Sequence, residues 1–172
     1  MNKTYIFCGI CLLLGLISGY LLNSYLNEQK IIPIFSPQGG ESIIDAINNA
    51  KESIYIETYV FTSDEVLAAL ISAKNRGVII EVIIEPRVMD DDNSKMYSKL
   101  ANAGINVRYA SNRFQLTHAK FIIIDGKIVI VGSHNLTNAA LNKNREASIL
   151  VYDRHLASVF LETFNSDWFL AH

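Results

Sequence analysis

Residues 117–135 read THAKFIIIDGKIVIVGSHN, in which two apolar runs, 119–124 and 128–131, flank an Asp125-Gly126 pair. Asp-Gly between two such runs is a strong β-hairpin signal, because a type I′ turn needs positive φ at both central positions. On a strand, residues two apart project to the same face. His118 and Lys120 are therefore expected together where the first arm begins, and Ser133 beside Asn135 where the second arm ends. Once paired, the arms bring an imidazole, an ammonium, a hydroxyl and an amide to one end of a sheet. The ammonium supplies charge to a phosphate, while the hydroxyl and the amide add neutral hydrogen bonds that orient it.

Working outward, helical and extended patterns alternate. Apolar residues at helical spacing predict a helix over 41–51, and SIYIETYV predicts a strand over 53–60. Ser63 suits the N-cap of a helix over 64–76 that Gly77 stops. VIIEVII at 78–84 reads as a buried strand ended by Pro86. A helix over 94–103 stopped by Gly104 and a short strand over 106–110 precede the hairpin. Beyond it, Thr137 caps a short helix to Leu141, EASILVY at 146–152 is a strand, and a helix runs over 154–169. Such alternation predicts an α/β domain with a mixed sheet covered by helices on both faces. The proline- and glycine-bearing stretch 31–40 reads as a linker or irregular strand.

Ahead of this body, YIFCGICLLLGLISGYLL at 5–22 carries no charge and is long enough to span a bilayer as a helix. No Ala-x-Ala site follows it, so an uncleaved signal anchor is expected over 1–30, with the catalytic body over 31–172. Lys3 ahead of the span favours a body on the periplasmic or extracytoplasmic side. Both cysteines, Cys8 and Cys11, fall inside the apolar run and read as small hydrophobes there. The net charge of −2 hides an asymmetry. Residues 31–94 hold 4 basic and 11 acidic side chains, and residues 95–145 hold 8 basic and 1 acidic. A second half at +7 suits an anionic partner.

Glu146 opens an otherwise apolar strand, where a carboxylate is costly unless paired. Taken together and in this order, His118-x-Lys120, Asp125, Gly132-Ser133-x-Asn135 and Glu146 resemble the histidine-lysine-aspartate signature of the phospholipase D superfamily. The resemblance extends upstream through Phe35-Ser36-Pro37, residues 46–51, residues 55–59 and residues 75–78, and covers 34–169. It implies a phosphodiesterase that works without metal or organic cofactor, through a phosphohistidine intermediate. His118 would be nucleophile or acid, Lys120, Ser133 and Asn135 phosphate ligands, and Glu146 the carboxylate that orients His118. Asp125 matches the catalytic motif, though its place in a turn favours a supporting role.

That chemistry takes two such motifs and the chain has one, so a two-fold homodimer sharing one active site is implied. The family's short, single-motif members are built this way. They include secreted or membrane-bound bacterial endonucleases and mitochondrial cardiolipin hydrolases. A non-specific endonuclease acting on DNA or RNA is the first expectation. Arg108, Arg113, Lys127, Lys143 and Arg145 would attract phosphates, and Phe114 or Tyr109 would stack on a base. The alternative is a phospholipase D acting on phosphatidyl lipids such as phosphatidylcholine or cardiolipin. A phosphate-binding module without activity is the third. His134 in the variable place of the motif could line the groove. His155 and His172 read as surface residues, and Asp90-Asp91-Asp92 as a solvated loop. Trp168, Phe164 and Phe169 read as core packing of the last helix.

Overall fold

The computed structural model describes residues 3–26, 30–88 and 92–172. Two compact units are present, Met1–Lys30 and Ile31–His172. The first is a single helix, α1 (Lys3–Leu26), of 24 residues. Cys11 on it is free and exposed. Among the described residues no helix is long and apolar enough to cross a membrane. The membrane-spanning expectation for 5–22 therefore has no support here, and part of its side chains lie outside the described residues. Asp90 and Asp91 lie outside them as well.

The second unit runs β1 (Lys30–Phe35), α2 (Gly40–Asn48), β2 (Ser53–Thr58), α3 (Asp64–Asn75), β3 (Ile79–Ile84), α4 (Asp92–Asn102), β4 (Asn106–Tyr109), β5 (Lys120–Ile124), β6 (Ile128–Gly132), α5 (Asn138–Asn142), β7 (Ala147–Tyr152), α6 (Arg154–Leu170). One seven-stranded sheet has the order β1-β7-β6-β5-β2-β3-β4. β2, β3 and β4 are parallel, while β2, β5, β6 and β7 pair antiparallel in turn, so the sheet is mixed as expected. The 31–40 stretch does form a strand. Pro33 is tolerated because β1 is an edge, where a missing N–H breaks no internal ladder.

Alternation within each strand sends apolar residues to both faces. On one face Ile54, Ile56, Ile122 and Ile130 pack under α2, α3 and α4, whose Ile47, Leu70 and Leu100 are buried. On the other, Ile83, Ile123 and Val129 pack under Ala157 and Phe164 of α6. Ser63 caps α3 by accepting from Val66 N, and Thr137 caps α5 by accepting from Ala140 N. Phe164 stacks with Trp168 at 5.7 Å, but Phe169 is 84% exposed and belongs to no core. The helix turns Phe169 away from the face that Phe164 and Trp168 share, because its side chain is one residue out of phase with them.

The β5–β6 turn forms as the sequence predicts. Asp125 and Gly126 have φ of 53° and 58°, and Lys127 N–H closes the turn onto Ile124 C=O at 3.1 Å. The Asp125 carboxylate, 7% exposed, accepts the backbone N–H groups of Lys51, Glu52 and Ser53 at 2.8 to 3.1 Å. Burial alone would raise its pKa, but those donors and Lys127 outweigh it and hold the carboxyl below its usual value. Asp125→Asn should therefore cost about 2 kcal/mol in urea unfolding while the folded fraction keeps its activity. Because the folded pKa is depressed, that stabilisation is whole above about pH 4 and is lost as pH falls further.

Candidate active site

β2 and β6 end, and β5 and β7 begin, at one end of the sheet, since Thr58 pairs with Lys120 and Gly132 with Ser148. Lys120 opens β5 there, and His118 stands two residues ahead of it, in the irregular segment that leads into the strand. His118 is exposed, and its ring meets Tyr59 edge-on at 4.5 Å. Lys120 Nζ donates to the His118 carbonyl at 3.0 Å and lies 5.3 Å from the centre of the same Tyr59 ring. Burial lowers the Lys120 pKa, and Glu146 partly opposes that shift. The two expected partners thus share one aromatic floor, Tyr59, which sequence reading had not singled out.

β6 stops at Gly132, so strand alternation does not carry through Ser133 to Asn135. The chain bends there instead. A Cβ on Gly132 would collide with Ala147 C=O and the Ser148 side chain, which is why a glycine stands at this point. Ser133 N–H donates to Ala147 C=O at 2.9 Å, and Ser133 Oγ donates to Glu146 Oε2. Asn144 Nδ2 donates to Glu146 Oε1 at 3.1 Å. The Ser133 bond lowers the Glu146 pKa first, against burial, with Asn144, His134 and Lys120 adding to it. Glu146 is therefore held as a carboxylate on Ser133, and it makes no hydrogen bond to His118 of its own chain. Asn135 Oδ1 is buried without a partner.

His134 does not line a groove. It is 4% exposed, with Nδ1 hydrogen-bonded to Ser148 Oγ at 2.7 Å and Nε2 to Ser36 Oγ at 3.1 Å. Burial lowers its pKa, with Glu146 opposing. A neutral ring can serve one serine as donor and the other as acceptor, so His134 fixes the bend that presents Ser133 and Asn135.

Other expected residues stand elsewhere. Asp125 lies at the far end of β5, about 16 Å along the strand from Lys120, so the motif's aspartate pins the hairpin and takes no part at this end. Lys127 lies there too, 3.6 Å from Asp125 Oδ2. Arg108 is on β4, with two strands between it and β5, and sits over Trp168 at 4.4 Å. Tyr109 is stacked on Tyr97 at 4.3 Å and its face is taken. Arg145 donates to Ser36 C=O at 3.1 Å. Arg113, Phe114 and Lys143 are exposed. His155 is exposed, and exposed His172 pairs its backbone with Tyr109.

A family model described as the cardiolipin synthase, phospholipase D-like domain matches residues 43–168. The chain belongs to the phospholipase D superfamily. It is a hydrolase of that superfamily, 36% identical over 145 residues to a phospholipase D of Rickettsia bellii, covering 83% of this chain and 71% of that one. A mitochondrial cardiolipin hydrolase of Canis lupus familiaris is 32% identical over 135 residues, and the match covers 77% of this chain and 52% of the relative. Among solved structures, the phospholipase D family member Nuc of Salmonella typhimurium superposes with a TM-score of 0.78 at 34% identity, covering 84% of this chain and 97% of Nuc. NucT of Helicobacter pylori has a TM-score of 0.75 at 22% identity, covering 84% of this chain and 98% of NucT, and shows the shared fold.

Beneath the site lies a buried acid that the motif does not include. Glu57 on β2 is 4% exposed and faces Asp167 of α6, and its Oε2 has no hydrogen-bond partner. Burial first, then the Asp167 charge and a hydrogen bond to it, push the Glu57 pKa up to about 8. Two carboxyl groups share a hydrogen bond only while one keeps its proton, so the folded state holds Glu57 neutral where an unfolded chain would ionise it. A raised acid pKa gives stability that is whole below the unfolded value of 4.5 and is lost as pH rises through 8. The melting temperature should fall over that interval, and Glu57→Gln should flatten the fall in calorimetry.

Proposed function

We propose that this hydrolase is a metal-independent nuclease with little sequence preference, working as a two-fold homodimer through a phosphohistidine on His118. The observation that carries the reading is the His118 imidazole. It is exposed beside Lys120, and neither ring nitrogen is engaged in a hydrogen bond among the described residues. Neutral His118 attacks phosphorus, a P–N bond forms, and the P–O bond to the leaving group breaks. The leaving oxygen takes its proton from a second, protonated imidazole. Water then attacks the phosphohistidine, the second imidazole accepts the proton from water, and the P–N bond breaks to restore His118. One imidazole must be neutral while the other is protonated, so the pair titrates as a unit.

A single chain supplies one such histidine, and its two-fold mate supplies the second. Lys120 Nζ and Asn135 Nδ2 donate to the phosphate oxygens, and Ser133 Oγ joins them once its proton turns from Glu146 to the substrate. Glu146, bound to Ser133 and leaving its own His118 alone, orients the imidazole contributed by the other protomer.

Polynucleotide is favoured over lipid by the side chains that precede the histidine. Exposed Arg113 and Phe114 just ahead of His118 suit a phosphate and a stacked base. The lipid reading keeps one specific support, the 36% identity to a Rickettsia phospholipase D. The uncharged run 5–22 in the 24-residue helix α1 serves, in this reading, as an uncleaved signal anchor that keeps the body on the extracytoplasmic side of the membrane.

The full-length chain in mild detergent, with EDTA present, should degrade single-stranded DNA, duplex DNA or RNA and leave phosphatidylcholine and cardiolipin intact. His118→Ala should abolish cleavage. Headgroup release without nucleic-acid cleavage would reverse the substrate assignment. Light scattering, after subtracting detergent, should give twice the chain mass of 19.2 kDa, and a monomer with full activity would refute the shared site.

A further inference from the structure

Glu85 follows β3 directly and is 0% exposed, a setting in which an ionised carboxylate is costly unless every lone pair finds a donor. Its Oε1 accepts Arg87 N–H at 2.9 Å and Arg87 Nε. Its Oε2 accepts Arg87 Nη2 at 2.8 Å and Thr117 N–H at 2.7 Å. The guanidinium reaches onward, from Nη1 to Phe114 C=O at 2.8 Å and from Nη2 to Ser111 C=O at 3.3 Å. Glu85 and Arg87 thus grip three points of the segment that runs into His118.

Little else holds that segment. Residues 110–119 contain no helix or strand, and 112–116 are all exposed, so apolar burial does not anchor them. The same end of the fold is tied together through Asn93, 2% exposed. Its Nδ2 donates to Glu85 C=O at 2.8 Å and Tyr59 C=O at 2.7 Å, while its Oδ1 accepts Phe61 N–H at 2.9 Å. The Tyr59 ring is the one that touches His118. The loop before the histidine and the floor beneath it hang from one buried polar network.

We propose that Glu85 and Arg87 are positioning residues for the hydrolytic reaction, holding the 111–117 segment so that the His118 imidazole is presented in its attacking place. The proposal rests on His118 being the reacting group. A rigid bidentate fork suits this task better than a point charge, because it fixes direction as well as distance. A displacement of His118 by about 1 Å is enough to lower turnover by around two orders of magnitude.

The test uses the full-length chain in mild detergent with bis(p-nitrophenyl) phosphate, a diester that is neither nucleic acid nor lipid. Arg87→Gln should lower kcat roughly 10- to 100-fold and leave KM within about twofold, the pattern of a lost transition-state geometry. Arg87→Lys should recover part of that loss. Trypsin should cut after Arg113 faster in Arg87→Gln than in the wild type, since the loop is released. Glu85→Gln should act in the same direction; if it fails to fold, the Arg87 variants decide alone. A folded Arg87→Gln with wild-type kcat, or with unchanged cleavage after Arg113, overturns the proposal. Should the wild type itself leave the diester intact, it is the reading of His118 that fails, and the trypsin comparison, which needs no turnover, still decides whether Arg87 holds the loop.

Discussion

Three backbone N–H groups at the start of β2 converge on one buried carboxylate, Asp125, in the tight turn between β5 and β6. Much of the sheet's middle follows from that contact. It sets the register of β5 against β2, Ile54 with Ile124 through Thr58 with Lys120, and a slip of one residue would turn every apolar side chain to the wrong face. The hairpin carries the same register to β6 and, through Gly132 with Ser148, to β7. The far end of these strands is where His118, Lys120, Ser133 and Glu146 gather. The motif's aspartate thus pins the opposite end of the strands that carry the site.

Polar groups at the site end are also buried in sets that satisfy one another. His134 is shared by Ser36 and Ser148, Asn93 by Tyr59, Phe61 and Glu85, and Glu85 by Arg87 and Thr117. Each set joins segments far apart in the chain. A satisfied network of this kind resists local rearrangement, because breaking one bond leaves a buried partner without water. His118 lies outside these sets and is exposed, with the exposed Arg113 and Phe114 ahead of it in the chain.

The basic bias of residues 95–145 looks different once folded. Arg108 is taken by Trp168, Lys127 by Asp125, Lys99 by Asp64 and Arg145 by the Ser36 carbonyl. Several charges that looked free in the sequence are structural partners, and one of them, Lys99, pairs with an acid of the first half. Lys120 stands beside His118, while the exposed Arg113 acts on the Asp167 charge.

The sequence by itself determined the alternation of helices and strands, the Asp-Gly hairpin, the caps at Ser63 and Thr137, and the pairing of His118 with Lys120, because each depends on residues a few positions apart. The same local rules failed where the chain leaves regular structure. They put Ser133 beside Asn135 by strand alternation, although β6 stops at Gly132, and they gave no sign that Ser133 and Asn144 hold Glu146 within the chain. They gave Asp125 a supporting role without showing what it supports, and they did not single out Tyr59, Glu85, Arg87 or Asn93. Only the tertiary structure decided those, since hydrogen bonds between residues 74, 34 or 32 positions apart leave no periodicity to read. A buried polar side chain shows its purpose only when the donors and acceptors that surround it are in place.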